Sequence, residues 1–219
     1  MSGRPDVVAL DVNETLLDLA PVAAALVEAG ESADLLPAVF GRTLHTGTAA
    51  TVAGVWVPFR AAFESALAQL TGLPADARAR VADAFLELAP HPDVEPALRR
   101  LTAAGVRVVT LSHGSPGVAE AGLERGGIAP LVERTLTSQT VRAWKPSREA
   151  YLWAAGVCGV PPEWMALVAA HGWDVLGAER AGLTGAWFPR SERVYPPAFP
   201  APAVVAADLA GAVDALLAR

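Results

Sequence analysis

Near its start the chain reads Asp6-Val7-Val8-Ala9-Leu10-Asp11, an unbroken apolar run between two carboxylates. Such a run, with no polar face recurring every third or fourth residue, fits a strand buried on both sides better than an amphipathic helix. From Leu16 to about Pro90 no comparable run appears. That stretch is rich in Ala and Leu, with helical spacing in Val22–Ala29, Trp56–Leu70 and Ala77–Leu88. After His91-Pro92 the two patterns alternate. A helix over Glu95–Ala104, stopped by Gly105, leads to a second buried strand at Val106–Leu111. Helices then follow over Ala119–Arg125, Arg148–Val157 and Val175–Ala181, with strands at Arg134–Leu136, Met165–Ala169 and Gly185–Phe188. Val204–Ala206 leads into a last helix ending near Leu217.

Apolar strands alternating with helices predict an α/β fold, a doubly wound parallel sheet covered on both faces. The helical stretch between the first and second strands then reads as an inserted cap. The expected division is a core of residues 1–15 and 91–219 and a helical cap of residues 16–90. The Pro-rich segment Ser191–Pro202 reads as a loop, and no internal repeat is visible.

Composition narrows the partners. A net charge of −6 argues against nucleic acid and against a basic membrane-binding face. The longest apolar candidate, Ala49 to Phe59, falls short of the roughly 18–20 residues that span a bilayer, and it contains Gly54 and Pro58. The N-terminus, with Arg4 and Asp6 before a short apolar strand, does not read as a signal peptide. The single cysteine, Cys158, excludes an internal disulfide and fits a reducing cytoplasm. A small-molecule substrate is the expected partner, and a homodimer is compatible with the sequence. Lys145 is the only lysine and Asn13 the only asparagine, which favours chemistry at both positions.

In an open α/β sheet, ligands bind beyond the carboxyl ends of the strands. Those ends carry Asp11, then Ser112-His113-Gly114, then His171-Gly172-Trp173-Asp174, with Lys145 in the loop after the weak strand. A carboxylate, a hydroxyl, an ammonium and a second carboxylate thus reach one rim. Any one of them can be a plain strand cap, but the set in this order points to a site. His45 and His91 lack partners at metal-ligand spacing, and Cys158 lacks an evident His partner, so all three read as structural or surface residues.

These residues resemble the haloacid dehalogenase-like hydrolase superfamily over nearly the whole chain. Asp11-Val12-Asn13-Glu14-Thr15-Leu16 matches its first motif, Leu111-Ser112-His113-Gly114 its second, Lys145-Pro146 its third, and Asp174 the acidic end of its fourth. The resemblance implies a Rossmann-like core with an inserted cap. Superfamily phosphatases carry an acid where this chain has Asn13 and a metal-holding Asp where it has Ala170. The type II (S)-2-haloacid dehalogenases are the more similar branch, with Tyr151 after the lysine and the pair Trp173-Asp174 at matching places. Their first-motif Tyr is Asn13 here, and Ala169-Ala170-His171 stands where they have two Ser and an Asn.

What the resemblance implies is metal-independent, cofactor-free hydrolysis of a 2-haloacid to a 2-hydroxyacid. Asp11 attacks Cα, expels halide and forms an aspartyl ester, and water then attacks the Asp11 carbonyl. Lys145 would keep Asp11 ionised. Thr15 and Ser112 would hold its oxygens, and Asp174 would orient Lys145 or activate water. At His171, where the chain departs from the family's Asn, two readings stay open: a base for ester hydrolysis oriented by Asp174, or a histidine that only packs beside Trp173. The expected substrate contacts are Asn13, His113, Tyr151 and Trp173, with Arg42 from the cap cradling the halide and Phe40, Trp56 and Phe59 offering an apolar wall; open beside these stand a turn-shaping His113, a structural Tyr151, an ordinary exposed Arg42 and aromatics that are plain core. Two alternatives stay open: a Mg²⁺-dependent phosphatase of the same superfamily, and a non-catalytic binding protein on this fold.

Overall fold

The computed structural model describes residues 3–219 and begins with β1 (Val7–Leu10), buried in the middle of a six-stranded sheet. The chain continues through β2 (Leu17–Asp18), α1 (Ala20–Glu28), α2 (Leu36–Val52), α3 (Phe59–Leu70), α4 (Ala75–Asp83) and β3 (Ala89–Pro90). It then forms α5 (Val94–Ala103), β4 (Arg107–Ser112), α6 (Pro116–Arg125), β5 (Arg134–Thr137) and α7 (Arg148–Cys158). The last elements are β6 (Met165–Ala169), α8 (Gly172–Ala181), β7 (Thr184–Trp187), β8 (Val204–Val205) and α9 (Leu209–Leu217). The large sheet has the order β5-β4-β1-β6-β7-β8, every pair parallel.

Alternation along β1 builds two core layers. Val8 and Leu10 enter the layer shared with α5, α6 and α9, while Val7 and Ala9 enter the layer shared with α7 and α8. Both faces are therefore covered, which is why the strand is apolar throughout. Helix α5 shows the matching logic, burying Val94, Ala97, Leu98 and Leu101 at three- and four-residue spacing. Because β4 and β6 both flank β1, their carboxyl ends stand on either side of Asp11.

The helical insertion lies between β2 and β3, whose antiparallel ribbon pairs Leu17 with Pro90 and Asp18 with Ala89. This ribbon closes the two ends of a stretch in which no strand was expected. The spacing also missed α2, whose buried positions are Val39, Phe40, Thr43 and Gly47. Half of that face is polar or lacks a side chain, so no apolar stripe marks it. Helix α3 begins at Phe59 rather than Trp56, because Pro58 is its extended N-cap residue. The helix expected over Ala77–Leu88 becomes α4 followed by a 3₁₀ turn, Ala84–Glu87.

Trp144 joins the insertion to the sheet domain. Its backbone N–H donates to Thr51 Oγ1 at 3.0 Å and its indole Nε1 to the Val57 carbonyl at 2.8 Å. Gly47 lets the indole lie flat on α2, since a Cβ there would fall 2.1 Å from the ring. Among the described residues, no helix is long and apolar enough to cross a membrane.

Candidate active site

Asp11 sits one residue beyond β1, its backbone N–H held by the Val168 carbonyl at 3.1 Å. The chain then turns tightly: Leu16 and Leu17 N–H both return to the Val12 carbonyl at 2.9 Å. This turn carries Thr15 back over the carboxylate, where Oγ1 donates to Asp11 Oδ2 at 2.7 Å and accepts from Ala170 N–H at 3.1 Å. Glu14, at the apex, adopts a left-handed backbone with φ 61°, uncommon for a side chain of its size.

Lys145 enters from the far side, fully enclosed. Its ammonium donates to Asp11 Oδ1 at 2.8 Å, the Leu111 carbonyl at 2.8 Å and Asp174 Oδ2 at 2.7 Å, which uses all three of its protons. Burial opposes its charge, but the two carboxylates more than offset this and raise its pKa. The two carboxylates respond differently to the same lysine. Burial disfavours the charge on Asp11 too, yet Lys145 and His171 together hold it well below the usual carboxylate range. Asp174 has fewer cationic partners; burial, with repulsion from Asp11, pushes it up despite Lys145. Both oxygens of Asp174 nonetheless accept, Oδ2 from Lys145 and Oδ1 from Tyr151.

His171 is the N-cap residue of α8, next to the end of β6. Its Nδ1 lies 2.9 Å from Asp11 Oδ2 and its Nε2 lies 2.8 Å from Glu14 Oε2. An ionised carboxylate only accepts, so each ring nitrogen must carry a hydrogen. Burial would lower its pKa, but the bonds to Asp11 and Glu14 bring it up to about 10. A ring with both nitrogens donating cannot take a further proton. His171, read as a base or as packing beside Trp173, lies on Trp173 with both nitrogens at carboxylates, and Glu14, not singled out by sequence reasoning, is its second partner.

His113 is the opposite case. Burial, reinforced by the Lys145 charge, pushes its pKa well below the ordinary value, so the ring is neutral. Its Nδ1 is 3.4 Å from Ser138 Oγ, and the ring stacks between Trp144 at 4.5 Å and Trp173 at 5.7 Å. Trp173 also stacks on His171 at 5.4 Å and lies beneath the Lys145 ammonium at 5.8 Å. From the cap, Phe40 stacks on His171 at 6.2 Å, and Phe59 stacks on Trp144 at 5.8 Å. Trp144 was not expected here, and its signal is only that it precedes the single lysine.

The remaining expectations divide. Ser112 Oγ, expected on a carboxylate oxygen, makes no hydrogen bond; with Asn13 Oδ1 and His113 Nε2 it is a buried polar atom without a partner. Leaving such groups unpaired is costly, and three of them at the carboxyl ends of β1 and β4 mark where a polar ligand belongs. Tyr151, expected at the substrate, is wholly buried and donates instead to Asp174 Oδ1 at 2.6 Å. Arg42 is exposed and donates to Gln69 Oε1 at 2.9 Å, off the buried face of α2, so the halide cradle expected of it is not formed. Trp56 is half-buried, packed against the same core layer as Phe40 and Phe59. Among the described residues, no three His, Cys, Asp or Glu side chains are grouped to hold a metal ion.

Comparison with known proteins agrees with this geometry. The family profile of haloacid dehalogenase-like hydrolases matches residues 5–182. An (S)-2-haloacid dehalogenase of Pseudomonas sp. (strain YL) is 32% identical over 145 residues, 64% of this chain and 62% of that protein. The match thus spans less than two thirds of that relative's length. The crystal structure of an L-2-haloacid dehalogenase superposes with a TM-score of 0.88 at 27% identity, covering 99% of both chains. The fold is also that of an L-2-haloacid dehalogenase from Xanthobacter autotrophicus solved with chloropropionic acid covalently bound, with TM-score 0.87, 22% identity, and 96% and 97% of the two chains covered.

Proposed function

This chain belongs to the haloacid dehalogenase-like hydrolase family, and on that premise we propose that it hydrolyses small 2-haloacids to 2-hydroxyacids through an ester on Asp11. The observation that carries the proposal is the state of Asp11: ionised, almost wholly buried, and held by Lys145, Thr15 and His171. A carboxylate kept anionic out of water is a nucleophile in search of an electrophilic carbon. Its Oδ2 already accepts two hydrogen bonds and its Oδ1 one, so Oδ1 is the atom we assign to attack. Attack on Cα forms the Oδ1–Cα bond, inverts the carbon and expels halide. Water then adds to Asp11 Cγ and the hydroxyacid departs carrying Oδ1.

Two of the three unpaired polar groups suit the substrate. Neutral His113, with Nδ1 accepting from Ser138, can donate from Nε2 to the substrate carboxylate, and Ser112 Oγ can add a second bond. Trp173 and Phe40 supply an apolar wall against which a short 2-substituent packs. Tyr151 and Asp174 hold the lysine, and we assign them positioning roles. We take residues 16–90 as the cap over this site, and the lone buried thiol of Cys158 supports a cytoplasmic enzyme.

The phosphatase reading is disfavoured because an imidazolium and an ammonium already flank Asp11, and a divalent cation beside both would be repelled. The test is halide release from (S)-2-chloropropionate and a haloacetate, with and without EDTA, beside a phosphatase substrate. Halide release indifferent to EDTA is expected, with inverted product where the carbon is chiral. In ¹⁸O-water with excess enzyme, a single turnover should place label in Asp11. Phosphate release that requires Mg²⁺, with no halide from any small haloacid, overturns the proposal.

A further inference from the structure

His171 is held more completely than a donor to one oxygen requires. Its two nitrogens meet carboxylates at 2.9 and 2.8 Å, and its ring stacks with both Phe40 and Trp173, inclined by 25° and 26°. The second carboxylate comes from Glu14, whose left-handed backbone is the strained point of the Asp11–Leu17 turn. That conformation, closed by the Glu14 N–H on the Leu17 carbonyl at 2.8 Å, is what accompanies a side chain reaching back to the ring. Strain of this kind persists where surrounding contacts hold it, and it concentrates at functional positions.

Other charged groups near the ring are accounted for. Asp11 and Glu14 come from the turn after β1, Lys145 from the loop before α7, Asp174 from α8 and neutral His113 from the end of β4. The cap contributes the uncharged ring of Phe40. On its outer side Glu14 is 26% exposed and lines a cleft of about 350 Å³ with Asp18, His91, Arg190 and Ser191.

We propose that Glu14 is a positioning residue that keeps His171 a permanent imidazolium, and that His171 serves as a charged donor to Asp11 Oδ2 while the ester hydrolyses. The chemical half rests on the dehalogenase reading; the charge state of the pair does not. In that step water oxygen bonds to Cγ, and the carbonyl electron pair moves onto Oδ2. There the Thr15 hydroxyl and the His171 Nδ1–H receive it, a two-donor cradle for the developing oxyanion. The pair returns, the Cγ–Oδ1 bond breaks, and the hydroxyacid leaves with one proton from the water. The other proton is lost to solvent as Asp11 ionises again beside its two cations. Position 171 therefore contributes charge, not basicity.

The experiment begins with ¹⁵N-histidine NMR of the enzyme without substrate. Both His171 nitrogens should remain protonated from pH 6 to 9, the signal being assigned by its loss in His171→Asn. Glu14→Gln should lower the His171 pKa from about 10 by at least about 2.5 units, so that the ring is mostly neutral at pH 8.5, and Glu14→Asp should restore much of it. In halide-release kinetics, Glu14→Gln should slow ester hydrolysis at least about tenfold at pH 8.5 and leave the first turnover intact. A burst of halide and trapped ester then appear, and they fade toward pH 6 as the ring reprotonates. Wild-type His171 titrating near its ordinary value, or unchanged titration in Glu14→Gln, overturns the charge assignment. An altered ring pKa with no burst overturns the catalytic half. Absence of halide release from any haloacid defeats the dehalogenase reading, and the NMR result for the pair stands apart from it.

Discussion

Replacing Lys145 by Met removes one charge and little volume, so the variant isolates the electrostatic role of the lysine. The ammonium makes three hydrogen bonds of 2.7–2.8 Å, two of them to carboxylates with almost no contact with water. Removing one partner of a buried ion pair costs about 3–5 kcal/mol, because the remaining charge stays desolvated. Here two carboxylates would remain, and the structure relieves them by binding a proton. That makes the loss depend on pH. In the wild type, the depressed Asp11 pKa contributes stability that is present above its unfolded value and lost as pH falls. In the variant, Asp174 has lost its cation and burial raises its pKa, while Asp11 keeps His171, so the folded state holds a proton that the unfolded chain has released near pH 5. Its stability then falls as pH rises. The gap between wild type and Lys145→Met should accordingly widen from pH 5 to pH 8, reaching about 3–5 kcal/mol at the upper end. Urea denaturation at both values measures it. A gap below about 1 kcal/mol at pH 8, or one that narrows with rising pH, would refute the enclosed ion-pair account. Lys145→Arg addresses function instead. A planar guanidinium cannot place three short bonds where a compact ammonium does, so turnover should fall at least about tenfold, roughly 1.4 kcal/mol of barrier. Near-normal activity would make the shape of the cation irrelevant.

Three further outcomes follow from particular contacts. Gly47→Ala pushes a methyl into the Trp144 indole, which is pinned by Val57, Thr51 and Phe59; thermal or urea unfolding should show a loss of about 1–3 kcal/mol, and an unchanged midpoint would mean that α2 shifts freely. Tyr151→Phe removes the 2.6 Å bond to Asp174 and should cost about 1.5–3 kcal/mol while lowering kcat more than it changes KM; a KM effect alone would return Tyr151 to the substrate. Arg42→Ala should leave halide release within about twofold, because its guanidinium is exposed and bonded to Gln69; a large loss of turnover would show that the cap closes to bring Arg42 onto the halide.

Much of the frame was legible from local pattern. The apolar runs at Val7–Leu10, Val106–Leu111 and Met165–Ala169 became the three central strands, the second of them at Arg107–Ser112, because a strand buried on both faces leaves little room for polar residues within it. Polar residues at the ends of those runs had to emerge at one rim, so Asp11, Ser112, His113 and His171 could be placed together from order alone. Lys145 stood out as the only lysine. Helix α2 escaped, because it packs through Thr43 and Gly47 to admit the Trp144 ring, and close approach leaves no apolar signature.

Charge and direction were decided only in three dimensions. Whether Tyr151 faces substrate or Asp174, and whether Arg42 faces the site or Gln69, depends on helix rotation against neighbours distant in sequence. The two histidines make the point most sharply. Both follow strands at the same rim, yet His171 lies between Asp11 and Glu14 and is cationic, while His113 is buried near Lys145 and is neutral. A sequence specifies that a side chain can titrate. The charges within a few ångströms, brought together here across more than 150 residues of chain, decide which form it keeps, because burial magnifies every nearby charge.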